Sequence, residues 1–192
     1  QCCVEGPDGA FLYVFGGRQP EEETNIDGPI SSLNDFYRLD LATGEWEELP
    51  SSNHTPSIRS YLQMVSIGTA IFLFGGMIDN DRYNDLFAFD TISKEWTRLL
   101  APPKDLDGRG GAGLCVIGEG EDASILVIAG FCGREVKDVW QYHIQANTWQ
   151  LREDLSLPTA RSIFACGVLS VDPDHMQIVI FGGEDMPASG HK

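Results

Sequence analysis

The sequence has few basic residues and no long apolar run. Lysine and arginine together number 13 against 29 aspartates and glutamates, which gives 192 residues a formal net charge of −16. Phosphate binding needs a basic stripe, so this balance argues against a nucleic-acid partner. The same charge disfavours docking on an anionic membrane surface, and no apolar stretch approaches the length of a membrane span. We therefore expect neither nucleic acid nor membrane as a partner.

The five cysteines have no recognisable metal or redox spacing. Cys2, Cys3, Cys115, Cys132 and Cys166 are an odd number and form neither a zinc motif nor a CxxC motif. Cys115 and Cys166 stand in apolar runs, where a cysteine is most often a small buried hydrophobe. This usage predicts reduced thiols and a cytoplasmic location. A nucleophile elbow, a phosphate-binding loop and an HExxH zinc site are also missing.

What the sequence does contain is an internal repeat. Four apolar runs end at a glycine pair or near-pair: FLYVFGG at Gly17, AIFLFGG at Gly76, ILVIAG at Gly130 and IVIFGG at Gly183. The first three are followed by NDFYRLD, NDLFAFD and KDVWQYH, and then by Trp46, Trp96 and Trp149. Arginine-led runs begin at Arg59, Arg109 and Arg161. Each unit therefore predicts four short strands in an all-β fold.

This order of arginine, hydrophobic-Gly-Gly, Asn-Asp-hydrophobic and tryptophan resembles the kelch repeat. The resemblance implies a β-propeller with four-stranded antiparallel blades. We predict one partial propeller domain, about three blades and the start of a fourth, with units at 1–50, 51–103, 104–158 and 159–192. The first unit is expected to lack its first strand, because its opening residues hold no arginine-led apolar run.

A long loop after the first glycine pair carries an acidic cluster. Glu21, Glu22, Glu23 and Asp27 have the charge to hold a cation, and the other interpretation is a solvated charge run. Loops at one end of a propeller commonly form its binding face. We expect the partner on that face to be a protein or a small anionic substrate.

Three segments narrow the resemblance within the kelch proteins. FGGR at the first glycine pair, RGGAGL at Arg109, and ARSIFACGV with IVIFGGEDMPASGH near the end are similar to the specifier proteins of glucosinolate breakdown. These are the nitrile-specifier, epithiospecifier and thiocyanate-forming proteins. The resemblance implies that Arg18 and Arg109 contact an anionic substrate. Arg109 also occupies the same repeat position as Arg59 and Arg161, so a scaffold role stays open.

The same resemblance implies an Fe(II) site after the last glycine pair, where the family has Glu-x3-Asp-x3-His. Glu184 matches the first ligand and His191 the third. The position four residues after Glu184 is Ala188, so the middle carboxylate is displaced, and Asp185 is its nearest replacement. Two carboxylates and one histidine form a facial set for Fe(II) in other proteins. The other interpretation is a polar surface loop.

Three functions remain open from the sequence. The first is an iron-dependent, nitrile-specifier-like protein that diverts a thiohydroximate-type intermediate, with its activity in question because the middle ligand is displaced. The second is a non-catalytic kelch module or substrate adaptor that binds a protein. The third is a structural arc within a larger kelch protein. Fold alone does not choose among them, and whether the chain is an enzyme stays open.

Overall fold

The chain folds into antiparallel β-sheets that follow one another along the sequence. The computed structural model describes residues 1–20, 30–172 and 175–185. In the first blade the spatial order of the strands is the order along the chain. Its strands are β1 (Cys2–Gly6), β2 (Gly9–Pro20), β3 (Ile30–Asp40) and β4 (Trp46–Glu48).

The second and third blades are also four-stranded and antiparallel. The second blade contains β5 (Gln63–Ile67), β6 (Ala70–Phe74), a short hairpin of β7 (Met77–Ile78) and β8 (Asp81–Arg82), then β9 (Leu86–Asp90) and β10 (Glu95–Arg98). The third contains β11 (Gly113–Ile117), β12 (Ser124–Phe131), β13 (Glu135–His143) and β14 (Thr148–Leu151). The fourth sheet pairs β15 (Ala165–Asp172) with β16 (His175–Phe181). The predicted all-β class and four-stranded blades are confirmed.

The first blade differs from the sequence prediction, because it has a first strand. β1 pairs antiparallel with β2, with Cys2 opposite Tyr13 and Val4 opposite Phe11. This strand is not led by an arginine, and Val4 is its one fully buried side chain. Its place in the sheet depends mainly on backbone hydrogen bonds to β2, and a search for an apolar run does not detect such a strand.

The central strand of the second blade, β6, is apolar on both faces because this blade lies between the first and the third. In β6, Ile71 and Leu73 pack in a core shared with the first blade, while Phe72 and Phe74 pack in a core shared with the third. Successive side chains of a strand point to opposite faces, so one run serves both cores. Burying each such side chain contributes about 1.5–3 kcal/mol.

The glycine pairs connect one blade to the next through the backbone. The N–H of Gly76 donates to the carbonyl oxygen of Arg109 at 2.9 Å. Gly75, at φ +65°, lies so close that a Cβ there would be 2.7 Å from the same oxygen. The equivalent bonds join Gly17 to Arg59 and Gly130 to Arg161. Glycine is required here because the left-handed backbone must also approach another backbone closely.

The first strands of the blades lie side by side. β1 lies against β5, β5 against β11, and β11 against β15. These strands are the innermost in their sheets, and the residues just before them are grouped at one end of the arc. None of the helices in the described ranges is long and apolar enough to cross a membrane.

Candidate functional site

Two of the repeat arginines, Arg59 and Arg109, lie inside their blades and bind the backbone of their own units. Arg59 is fully buried and forms an ion pair with Asp85, at 2.6 Å between Nη1 and Oδ1. Its Nη1 also donates to the carbonyl oxygen of Gly75 at 3.0 Å. The guanidinium stacks over the Tyr83 ring with 4.2 Å between Cζ and the ring centroid. This arrangement indicates a scaffold role for Arg59.

Arg109 repeats this arrangement in the third blade. Its two terminal nitrogens donate to the two carboxylate oxygens of Asp138 at 2.7 and 3.1 Å. Nη1 also binds the carbonyl oxygen of Ala129, and Nε binds that of Asp107. Only 1% of Arg109 is exposed. Every guanidinium nitrogen therefore already has a partner, as a scaffold role requires. Its predicted contact with a substrate anion stays a prediction.

The carboxylate of this pair is ionised at neutral pH. Burial alone would raise the pKa of Asp138, but the hydrogen bonds and charge of Arg109 outweigh burial and lower the pKa. Asp138 also accepts a hydrogen bond from the indole N–H of Trp140 at 2.7 Å. Arg109 and Asp138 line a cavity of about 430 Å³ together with Arg134 and Lys137.

Arg18 has a different environment. It directly follows the first glycine pair and is exposed. Its Nη1 donates to the Tyr61 hydroxyl at 3.3 Å, and its Cζ lies 5.8 Å from the centroid of the Tyr61 ring. No carboxylate in the described part of the chain lies within 4.0 Å of its guanidinium nitrogens. Within the described residues, Arg18 is therefore a cation that no carboxylate neutralises.

Arg18 lies on a groove of about 200 Å³. The lining is mostly apolar and comes from all four blades: besides Arg18 it comprises Tyr61, Met77, Gly110, Gly111, Phe131, Ser162, Ile163 and Glu184. The structure thus brings two predicted site residues, Arg18 and Glu184, to one groove. It places Arg109 outside the lining of that groove, although Gly110 and Gly111 directly follow Arg109 in sequence.

The rim of the groove is built by a strained backbone position that recurs in three units. Tyr61, Gly111 and Ile163 each lie two residues after the repeat arginine and have φ of +54°, +60° and +53°. The N–H of Gly111 donates to the Tyr61 carbonyl, and the N–H of Ile163 donates to the Gly111 carbonyl. Positive φ is unfavourable for a β-branched residue, and such strain concentrates at functional sites. The sequence analysis did not predict Tyr61 and Ile163 as groove residues. Their shared position, two residues after a repeat arginine, was the signal that could have identified them.

Glu184 is held at the groove by its backbone. Its N–H and C=O both bond to Ser162, at 2.9 and 3.0 Å, in an isolated antiparallel bridge. Asp185 follows it and does not line the groove. The third predicted iron ligand, His191, lies outside the described residues. The predicted acidic cluster also lies outside them; it comprises Glu21, Glu22, Glu23 and Asp27.

The described residues alone do not make up the predicted iron site. Glu184 offers a carboxylate donor at the groove, but across residues 1–20, 30–172 and 175–185 no three His, Cys, Asp or Glu side chains cluster as a metal site would need. A two-carboxylate, one-histidine set therefore depends on His191.

The repeated blades define a kelch-type propeller protein, and the comparison with known families agrees. The family model of the "KLHDC2/KLHL20/DRC7 Kelch-repeats domain" matches residues 1–183. The chain therefore belongs to the kelch-repeat family.

Individual relatives include proteins with very different names. An "N-(sulfonatooxy)prop-2-enimidothioate sulfolyase" of Thlaspi arvense is 35% identical over 104 residues, which is 54% of this chain and 27% of the relative. A "tRNA wybutosine-synthesizing protein 2/3/4" of Arabidopsis thaliana is 31% identical over 93 residues, 47% of this chain and 8% of the relative. "Kelch domain-containing protein 10" of Xenopus tropicalis is 28% identical over 100 residues, 48% of this chain and 24% of the relative. The matched segments thus span about a quarter or less of these proteins.

Proposed function

We propose that this kelch domain is part of a specifier-like protein whose groove binds a small sulfated organic anion through Arg18. The observation that carries the proposal is a cation without a carboxylate partner among the described residues, placed on a mostly apolar groove. A guanidinium binds sulfate with paired, charge-assisted hydrogen bonds. The chain carries a net charge of −16, so an anion needs such a local cation to bind here.

The chemistry of the groove matches the substrate in the name of the Thlaspi relative. That name describes a short alkenyl chain and a sulfonatooxy group. Tyr61, Met77, Phe131 and Ile163 offer apolar contacts to a chain of this kind, and Arg18 offers a cation to the sulfate. When sulfate leaves, the bond between nitrogen and the sulfate oxygen breaks and negative charge collects on the leaving group. A guanidinium at that point stabilises this negative charge and lowers the barrier.

Fe(II) bound by Glu184, Asp185 and His191 is the second part of this proposal. Glu184 lies on the same groove as Arg18, which supports a place for the metal near a bound anion. When bound, Fe(II) would supply Lewis-acid or redox activation of the substrate's sulfur centre. The chain's own contribution is to bind the sulfate with Arg18, to position the organic group against the apolar walls, and to hold a carboxylate donor beside it.

Replacing Arg18 by alanine tests the anion site. We expect nitrile formation from a glucosinolate aglucone, released in situ, to fall by about 10- to 150-fold, the loss that follows from hydrogen bonds to a charged group. Product analysis by gas chromatography measures it. Arg98→Ala is the matched control, because Arg98 is also an exposed arginine and lies away from the groove. For Arg109→Ala, both the product yield and the folded fraction are measured against wild type. A lower yield from fully folded protein indicates contact with the substrate, and a lower folded fraction indicates a scaffold role.

Equal product yields from the Arg18→Ala and Arg98→Ala proteins would contradict the anion site. A wild-type protein that forms no such product would instead favour the protein-binding alternative.

Fe(II) titration tests the metal part separately. Glu184→Ala and His191→Ala are each expected to weaken Fe(II) binding by at least about tenfold, a loss seen even for residues that only support a ligand. Asp185→Ala shows whether the displaced carboxylate is replaced by its neighbour. Anaerobic calorimetry gives the affinities, and Glu121→Ala is the control because Glu121 is exposed in a distant turn. Unchanged affinity in the Glu184 and His191 variants would rule out this ligand set.

A further inference from the structure

Two cysteines meet at the junction between the third and fourth blades. Cys115 of β11 and Cys166 of β15 have their sulfur atoms 3.5 Å apart, although 51 residues separate them in sequence. The two strands belong to different sheets and are adjacent inner strands. The thiol pair therefore lies in the contact between the third and fourth blades.

The surroundings bring the Cys166 sulfur close to β11. Its Sγ lies 3.7 Å from the carbonyl oxygen of Leu114. A Cβ on Gly113 would stand 2.9 Å from the same sulfur, so the missing side chain at Gly113 leaves the space that Cys166 fills. Backbone bonds from Ile163 to Gly111 and from Gly130 to Arg161 join the two blades just before these strands. The two thiols are thus positioned by the fold.

Both thiols line a cavity of about 480 Å³ formed largely by β5, β11 and β15. This volume admits a small oxidant to the sulfur atoms. Cys166 is partly exposed, while Cys115 is buried. The hydrogen bond from the Cys115 thiol lowers the pKa of Cys166, and the same bond together with burial raises the pKa of Cys115. Cys166 is therefore the more accessible and more readily ionised thiol, with a second thiol beside it.

We propose that Cys115 and Cys166 form a peroxide-sensitive dithiol site, which oxidises to a disulfide between the third and fourth blades. The Cys166 thiolate attacks one oxygen of hydrogen peroxide, the O–O bond breaks, and the leaving hydroxide takes a proton to become water. The Cys115 thiol then gives up its proton, and its sulfur attacks the sulfenic sulfur of Cys166. The S–O bond breaks and hydroxide leaves with that proton as a second water. Two thiols have lost two electrons, and one peroxide has become two waters.

The geometry requires only a short movement for this step. A disulfide bond is about 2.05 Å long, so the sulfur atoms must approach by about 1.5 Å. The disulfide would link the blade that contributes Gly111 and Phe131 to the groove with the blade that contributes Ile163 and Glu184.

Peptide mapping of the oxidised protein tests the site without any assay of activity. The protein is treated with equimolar hydrogen peroxide, quenched with catalase, alkylated and digested without reduction. We expect the main cross-linked species to join the Cys115 peptide to the Cys166 peptide and to disappear after treatment with dithiothreitol. Alkylated, unlinked Cys115 and Cys166 peptides after peroxide treatment would overturn the proposal, as would equal yields of links among all cysteines.

Three single variants test the order of the two steps. Cys115→Ser should stop the reaction at the Cys166 sulfenic acid, which dimedone traps. Cys166→Ser should leave Cys115 unoxidised, because Cys115 is buried. Cys132→Ser is the matched control, since Cys132 has the same partial exposure as Cys166 and its sulfur contacts only the Arg134 carbonyl among the described residues. The wild-type link must persist in that control, and its loss there would contradict the site.

Discussion

Replacing Arg59 by methionine is expected to lower the free energy of unfolding by about 3–5 kcal/mol, the loss typical when one partner of a buried ion pair is removed. Arg59 is 0% exposed and its partner Asp85 is also buried, so the variant leaves a carboxylate without its counter-ion in the interior. Urea denaturation followed by circular dichroism measures the change. The double variant Arg59→Met/Asp85→Leu should recover most of the loss, because it leaves no unpaired charge.

Arg38→Met is the matched control for this experiment. Arg38 pairs with Glu47 at the surface, and exposed ion pairs contribute about 1 kcal/mol or less. A loss in the Arg59 variant as small as that in the Arg38 variant would show that the buried pair does not stabilise the blade. The expected difference between the two variants is therefore the measure of the scaffold role of the repeat arginine.

Replacing Trp96 by alanine is expected to cost about 3–5 kcal/mol as well, because the substitution leaves a cavity in the core between the first two blades. Trp96 is 5% exposed and packs against Phe15, Phe36 and Phe89 with ring centroids 4.9 to 5.6 Å apart. Circular dichroism in urea again gives the free energy, since the substitution removes a fluorophore.

Trp46 provides the comparison at the same repeat position. It is 56% exposed, so Trp46→Ala is expected to cost about 1 kcal/mol or less. Equal losses in the two variants would contradict the packing difference between the first and second blades. The tryptophans of the second and third blades pack on the blade before them, as Trp149 does on Phe74, and the difference between the two variants measures that packing.

Much of the fold was predictable because each residue of the repeat motif has the same structural role in successive blades. The glycine pair marks the point where a backbone must adopt positive φ and approach the next unit, as Gly75 does beside Arg109. The arginine marks a buried ion pair, as Arg59 does with Asp85. β1 escaped prediction because its pairing with β2 relies on main-chain atoms and one buried valine, which leave little trace in the sequence.

Less of the candidate site was predictable, since the groove is assembled from residues far apart in the chain. The resemblance to the specifier proteins implies the same contact with an anionic substrate for Arg18 and for Arg109. Their environments differ through Asp138, which lies 29 residues after Arg109 and pairs with it, whereas Arg18 contacts Tyr61 across two blades. The Arg109–Asp138 pair lies within one blade and repeats the pair of Arg59 with Asp85. The contact of Arg18 with Tyr61 instead depends on how the first blade packs against the second, which a linear motif does not describe.

The backbone hydrogen bonds between the glycine pairs and the repeat arginines limit which substitutions can break the contact between blades. The bonds from Gly17, Gly76 and Gly130 each end on a carbonyl oxygen, an atom that every amino acid carries. These bonds between neighbouring blades therefore require a particular residue type only at the glycines. Substitution of rim side chains such as Tyr61 and Ile163 leaves all three bonds in place.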